Sequence, residues 1–190
     1  LEKRGIKPET IETFQLGYAP EGWRNLRDHL QREKVSLKHA EQAGLLVSRK
    51  DGDFYDRFRS RLMFPIEDVN GNVIAFGGRI IGEGEPKYLN SPESPIYVKG
   101  RNLYGLARAK NAIRRDDTLI IVEGYFDLLA LWNHGIQNVA ATQGTALTRE
   151  HVDLIKRYTG SVALTFDADA GGKSALERSM SLFLERGLRA

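Results

Sequence analysis

The sequence contains no cysteine, few histidines and no long apolar run. Without cysteine, the chain can form neither disulfide bonds nor thiolate metal sites. The 4 histidines show no metal-ligand spacing, so any bound metal is expected on oxygen ligands, which Mg²⁺ prefers. No apolar stretch approaches the ~20 residues of a membrane helix, and the start, LEKRGIKPET, lacks the apolar core of a signal peptide. We therefore expect a cytoplasmic protein without membrane contact.

The charges that are present are unevenly distributed. Residues 1–115 carry 21 Lys and Arg against 15 Asp and Glu, whereas residues 116–190 carry 7 against 10. A basic surface commonly faces phosphates, and an acidic pocket beside it suits divalent cations. The same basic excess is also compatible with an ordinary solvated surface. We place a domain boundary near this change, between a basic N-terminal subdomain (1–115) and a C-terminal part (116–190).

The N-terminal part mixes helical and strand patterns. Residues 1–44 have helical spacing, with Pro8 near one helix start. Two apolar runs within 61–81 flank Asn70-Gly71, which is a strong hairpin signal, and Pro65 suggests an edge strand or a bulge. Residues 82–105 hold half of the prolines and are predicted to be loop with short elements. These patterns predict an α+β subdomain.

The C-terminal part alternates regularly between strands and helices. The strings TLIIVEG, NVAATQG and SVALTFDAD have strand character, and a helical segment follows each, the last one from Lys173. This β-α-β-α-β-α order predicts a parallel sheet flanked by helices, with ligands bound beyond the carboxyl ends of the strands.

Acidic residues stand at two of these strand ends. Asp167 and Asp169 would point to the same side of an extended segment, and Glu123 would reach the same rim from another strand. Three carboxylates there would repel one another unless a cation neutralised them, and Mg²⁺ would suit phosphoryl transfer. Asp127, one helical turn beyond Glu123, is a secondary candidate, or only a helix-dipole partner. The alternative for Asp167 and Asp169 is that they cap the following helix.

Spacing excludes two other interpretations of FDADAGGKSALER. An EF-hand loop from Asp167 would need a bidentate Glu at its twelfth position, where Arg178 stands. A phosphate-binding P-loop ending in GGKS would need its first glycine where Asp167 stands, and that carboxylate would repel phosphates. Gly171 and Gly172 are then expected to form the turn before the last helix.

Strings across nearly the whole chain resemble one known family. The strings are LEKRGI, RFRSRLMFPIEDVNGNVIAFGGR, PKYLNSPES, VKGRNLYGL, VEGYFDLLAL, ATQGTALT and FDADAGGKSA. They resemble the RNA polymerase domain of bacterial DNA primases of the DnaG type. The last three alone resemble the Toprim module, which topoisomerases and some nucleases share. The fold implied is α/β, with an α+β N-terminal subdomain followed by a Rossmann-like Toprim parallel sheet flanked by helices.

The resemblance implies a primase, a nucleotidyltransferase that synthesises short RNA primers from ribonucleoside triphosphates on a single-stranded DNA template. By motif, it implies catalytic and metal-binding roles, with Mg²⁺ or Mn²⁺, for Glu123, Asp167 and Asp169. It implies that template or nucleotide phosphates contact the basic residues Arg79, Lys87 and Lys99, with a track extended by Arg57, Arg59 and Arg61. The alternative for the last three is the exposed, alternating face of a strand.

The resemblance also implies parts that this chain lacks. Because the chain begins at Leu1 and ends after a helical segment, we expect a fragment of a longer protein. Zinc is expected only in an absent N-terminal domain, and the replicative helicase would bind an absent C-terminal domain. A further acidic Toprim motif is absent as well. We expect a monomer acting at the replication fork in the nucleoid.

Two alternatives to a primase remain open. One is another Toprim enzyme of nucleic acids, a topoisomerase or a nuclease; none of the 7 tyrosines has a context that marks it as a topoisomerase nucleophile. The other is a non-catalytic nucleic-acid-binding module in which the acids only cap helices.

Overall fold

The computed structural model describes residues 1, 4–168 and 170–190 and divides the chain into two compact units. Unit 1 comprises Leu1–Thr13, Glu67–Asn72 and Lys99–Ala190, and unit 2 comprises Phe14–Ile66 and Val73–Val98. The units do not coincide with the stretches 1–115 and 116–190, because the first residues, a hairpin tip and residues 99–115 belong with the C-terminal part to unit 1. The boundary near residue 115 stays a prediction about domains.

Most of the secondary structure follows the predicted order of elements. In chain order the elements are α1 (Pro8–Thr13), β1 (Gly17–Ala19), α2 (Asn25–Arg32), α3 (Leu37–Gln42), β2 (Leu46–Ser48), β3 (Phe54–Asp56), β4 (Arg61–Glu67), β5 (Val73–Ile80), β6 (Tyr88–Asn90), a 3₁₀ turn (Lys99–Arg101), α4 (Leu106–Asp116), β7 (Leu119–Val122), α5 (Tyr125–Asn133), β8 (Val139–Ala141), α6 (Arg149–Ile155), β9 (Val162–Thr165) and α7 (Ala170–Glu185).

Unit 2 is built on an antiparallel sheet in the order β1-β4-β5-β6. The β4–β5 hairpin turns where Asn70-Gly71 predicts it, with Gly71 at φ 89°, a left-handed conformation that suits glycine. The Asp68 side chain accepts the backbone N–H groups of Asn70 and Asn72, at 2.8 and 2.9 Å, and so holds the turn. Phe64 and Ile66 are fully buried in this sheet.

Pro65 was expected to mark an edge strand or a bulge, but β4 lies inside the sheet order. The pairing of β1 with β4 covers Arg61 to Met63 only. Pro65 therefore lies beyond the paired stretch on that side of β4, where a missing N–H costs no ladder hydrogen bond.

Unit 1 contains the predicted parallel sheet, in the order β8-β7-β9. Its central strand β7 is apolar, and the core around Ile121 includes Val152 of α6 and Phe183 of α7. This arrangement confirms the α/β class and the strand and helix alternation. None of the helices in the described part is both long and apolar enough to span a membrane.

Three details differ from the prediction. Strand β1 lies within residues 1–44, which were predicted to be helical. Helix α4 was not predicted, although Leu106, Ala109 and Ile113 form its buried face at helical spacing. Helix α7 begins at Ala170, so Gly171 and Gly172 lie in its first turn and not in a turn before Lys173.

Candidate active site

Glu123 and Asp167 follow neighbouring parallel strands of unit 1. Glu123 comes directly after β7, and Asp167 comes two residues after the end of β9. The backbone N–H of Asp167 donates a hydrogen bond to Oε1 of Glu123 at 2.8 Å. The structure therefore brings these two predicted residues together at the carboxyl edge of the sheet.

The loop after β8 joins the same rim. The N–H of Thr142 donates to the carbonyl of Val122 at 3.1 Å, and the N–H of Gly144 donates to the carbonyl of Glu123 at 3.2 Å. Gln143 and Gly144 adopt left-handed conformations, with φ of 61° and 72°, which turn the chain back toward Glu123. The three strand ends named from the sequence are thus tied together, by two backbone hydrogen bonds from the loop after β8 and by the bond from the Asp167 N–H to the Glu123 side chain.

Gly172 fixes how closely α7 approaches this rim. A Cβ atom on Gly172 would lie 2.0 Å from the carbonyl oxygen of Asp167, which no side chain could tolerate. Gly172 therefore allows close packing of the helix against the strand end, a role that the sequence alone did not suggest.

The donor set at the rim suits a hard divalent cation. Carboxylate oxygens are the ligands that Mg²⁺ and Mn²⁺ prefer, and Glu123 and Asp167 supply them. Asp169, the third predicted ligand, lies outside the described residues. Among those that are described, no group of three or more His, Asp or Glu side chains lies close enough to hold a metal ion.

Asp127 has a local structural partner. Its Oδ2 accepts the N–H of Gly124 at 2.9 Å, so the carboxylate satisfies a donor at the start of α5. This contact matches the helix-end role that was the alternative for Asp127.

A small pocket of about 160 Å³ adjoins Glu123. Its lining includes Thr142, Thr145 and Phe166, and Arg178 brings a positive charge from α7. The NH1 group of Arg178 donates to Oγ of Ser174, one helical turn earlier, at 2.5 Å. In the sequence, Arg178 stands out only as a mismatch to a calcium loop, and its place beside Glu123 follows from the packing of α7.

The predicted basic residues fall in both units. Lys99 lies in the 3₁₀ turn of unit 1, whereas Arg57, Arg59, Arg61, Arg79 and Lys87 lie in unit 2. Lys87 is exposed, and Arg79 is half-buried with its guanidinium carbon 5.8 Å from the centre of the Tyr88 ring. Burial lowers the pKa of the Arg57 guanidinium from its ordinary value.

Arg61 does not lie on an exposed face. It is buried in β4, and its guanidinium donates to the carbonyls of Gly78 at 3.2 Å and Pro86 at 2.8 Å. Burial lowers the pKa of Arg61, and the charge of Arg59 lowers it further. These contacts hold the segment before β6 against the sheet.

Arg59 belongs to an aromatic cluster that the sequence did not reveal. Its guanidinium carbon lies 4.0 Å from the centre of the Trp23 ring, and Trp23 meets Tyr55 edge-on at 5.3 Å. Arg49 approaches the Tyr55 ring at 5.3 Å. Trp23 is 54% exposed, so this cluster presents an aromatic and cationic surface.

Family models assign both parts of the chain. Residues 1–110 match the model described as the N-terminal domain of the DNA primase catalytic core, and residues 120–190 match a Toprim-like model. The chain belongs to the DnaG family of bacterial DNA primases. The rim of Glu123 and Asp167 is thus the carboxyl edge of a Toprim sheet in a primase core.

Individual primases resemble the chain over nearly its whole length. The DNA primase of Halalkalibacterium halodurans is 47% identical over 188 residues, which are 98% of this chain and 31% of that protein. The structure of the Aquifex aeolicus primase, zinc-binding and RNA polymerase domains, is 41% identical with a TM-score of 0.91, covering 98% of this chain and 46% of that one.

A third relative is the DnaG primase catalytic domain bound to single-stranded DNA, 43% identical with a TM-score of 0.86, covering 96% of this chain and 57% of that one. The chain therefore spans about a third of the curated primase it matches and about half of the solved chains. Because its relatives along nearly the whole length are primases, a topoisomerase or nuclease is not favoured.

Proposed function

We propose that this chain forms part of the catalytic core of a DNA primase, which synthesises RNA primers on single-stranded DNA. The observation that carries the proposal is the hydrogen bond from the Asp167 N–H to Glu123, which gathers two acids at the carboxyl edge of the Toprim sheet. Membership of the primase family supports the reaction class, nucleotidyl transfer by a DNA-directed RNA polymerase activity.

Glu123, Asp167 and Asp169 would hold one or more divalent ions, Mg²⁺ or Mn²⁺. Such an ion, when bound, lowers the pKa of an attacking hydroxyl and neutralises charge on a triphosphate. The Asp167 N–H orients the Glu123 carboxylate for this role by binding one of its two oxygens. Asp127 stays a secondary acid, because one of its oxygens already accepts the Gly124 N–H.

The basic residues would hold the phosphates of template and ribonucleoside triphosphate. Lys99 in unit 1 and the exposed or half-buried Arg57, Arg59, Arg79 and Lys87 in unit 2 carry this part of the proposal. Arg61 would act indirectly, because it holds the carbonyl of Pro86 next to Lys87. Binding by charge depends little on sequence and falls steeply with salt.

The remaining expectations concern the whole protein. They include zinc in a separate N-terminal domain, a helicase contact through a C-terminal domain, a monomeric state and a place at the replication fork. The bound DNA of the related DnaG catalytic domain is consistent with a single-stranded DNA partner.

The proposal is tested by ribonucleotide incorporation on single-stranded DNA with Mg²⁺ or Mn²⁺. In the full-length protein, Glu123→Gln keeps an oxygen that can accept the Asp167 N–H but removes the charge. We expect it to lower kcat by about 10²- to 10³-fold, since several kcal/mol of transition-state stabilisation depend on the metal site.

The matched control is Glu177→Gln, which neutralises an exposed acid on α7 of the same unit. It should retain wild-type activity. Equal incorporation by wild type and Glu123→Gln would mean that Glu123 has no catalytic role, and an inactive wild-type protein would contradict the primase assignment itself.

A further inference from the structure

A buried histidine holds the 3₁₀ turn that carries Lys99. His151, in the first turn of α6, has no exposed surface, and its Nε2 lies 3.2 Å from the carbonyl oxygen of Lys99 and 3.1 Å from that of Asn102. Its Nδ1 accepts the N–H of Thr148 at 3.2 Å. Both ring nitrogens are therefore used.

These contacts fix the state of the ring. Because Nδ1 accepts a hydrogen bond, the proton lies on Nε2, which donates to the two carbonyls. A second proton on Nδ1 would face the Thr148 N–H. Burial also disfavours the charged ring and lowers the pKa of His151 from its ordinary value, although the two carbonyls and Glu150 oppose that shift.

Thr148 adds a third hydrogen bond to the same turn. Its hydroxyl donates to the carbonyl of Gly100 at 2.5 Å and accepts the N–H of His151 at 3.1 Å. A Cβ atom on Gly100 would lie 3.2 Å from the Thr148 methyl group, so the two segments pack closely. The side chains of Thr148 and His151 thus donate hydrogen bonds to the carbonyls of Lys99, Gly100 and Asn102.

The far end of this segment is fixed as well. Tyr104 and Ala141 exchange two backbone hydrogen bonds, of 2.9 and 3.0 Å, at the end of β8. The segment from Lys99 to Tyr104 is therefore anchored at both ends within unit 1, the unit that also contains Glu123 and Asp167.

We propose that His151 and Thr148 are positioning residues that hold the Lys99 turn so that Lys99 contacts a phosphate group. This inference rests on the proposed function, in which Lys99 binds template or nucleotide phosphate. His151 acts only through the backbone of the turn and touches no substrate.

The test combines substitutions at His151 with Lys99→Ala in the full-length protein. Binding to a single-stranded DNA oligonucleotide is measured over a range of salt concentrations, and KM and kcat for ribonucleotides are measured in parallel. Each phosphate contact that is lost lowers the magnitude of the salt slope by about 0.7 for single strands. A changed salt slope of DNA binding would mean that Lys99 contacts a template phosphate. A change in the KM for ribonucleotides alone would mean that it contacts a nucleotide phosphate.

We expect His151→Leu to reproduce the change in slope or KM caused by Lys99→Ala, and to add nothing in the double variant, because both remove the same contact. His151→Gln should keep the salt slope and KM close to their wild-type values, because the amide group of Gln can donate to both carbonyls. Thr148→Val should show the same defect in weaker form, and Thr148→Ser, which keeps the hydroxyl, should not.

Three results would overturn the inference. His151→Leu and Thr148→Val could lower the melting temperature while leaving slope and KM unchanged, which would indicate a structural role only. In the second, the effects of His151→Leu and Thr148→Val on slope and KM would add fully to that of Lys99→Ala. In the third, Lys99→Ala would change neither slope nor KM. If His151→Leu does not fold, the Thr148 pair decides between these outcomes. Failure of the proposed function is separate, because it would appear as absent incorporation by the wild-type protein.

Discussion

At the scale of residues, the rim depends on contacts between backbone and side chain. Glu123 is oriented by the N–H of Asp167, and Asp167 is approached by Gly172 so closely that only glycine fits. Sequence reasoning could predict that the acids share a rim, because parallel strands end at one edge of a sheet. It could not predict the role of Gly172, because glycine's low helix propensity favours a turn at that position.

Gly172→Ala should therefore destabilise unit 1. The added methyl group would overlap the Asp167 carbonyl, so either the helix or the strand end must shift. Overpacking of this kind costs about 1–3 kcal/mol. Urea denaturation measures the free energy of unfolding. Gly160→Ala is the matched control, since a Cβ there meets no atom within 4 Å. Equal stability of both variants would show that α7 does not pack on Asp167 in this way.

At the scale of elements, local patterns predicted most helices and strands. The Asn70-Gly71 turn and the strand-helix alternation after residue 117 are both present. Helix α4 was missed because its buried face includes small alanines between charged residues, which weakens the apolar signal. Arg61 shows a second limit of prediction from local patterns. Alternation along a strand predicts the face on which a residue lies, but not that segments distant in sequence cover that face and supply carbonyl acceptors.

The sheet contacts of Arg61 predict a structural phenotype. Arg61→Lys cannot reproduce the two guanidinium hydrogen bonds, so the buried bond to the Gly78 carbonyl and the partly buried one to the Pro86 carbonyl are lost, at a cost of about 1–3 kcal/mol. Urea denaturation should show this loss, with Arg49→Lys, an exposed position in unit 2, as the control. Unchanged stability together with a reduced salt slope for DNA binding would instead identify Arg61 as a phosphate contact.

At the scale of the whole molecule, each compact unit combines segments that are separated in the sequence. Lys7 and Thr10, near the N-terminus, belong to unit 1, where the Asn133 side chain accepts the N–H of Lys7 at 3.0 Å and the hydroxyl of Thr10 at 2.8 Å. Contacts over such sequence separations leave no local pattern in the sequence, so the composition of the two units could not be predicted from it. The family, by contrast, was recognisable because its strings extend along nearly the whole chain.

The central claim is that the acids at the carboxyl edge of the Toprim sheet bind a divalent ion. The direct measurement is anomalous difference density in crystals of the protein soaked with Mn²⁺, with Asp167→Asn crystals as the control. We predict a peak between the carboxylates of Glu123 and Asp167 that is lost in the variant. A well-occupied peak elsewhere, or none at this rim under conditions that support nucleotide incorporation, would contradict the account.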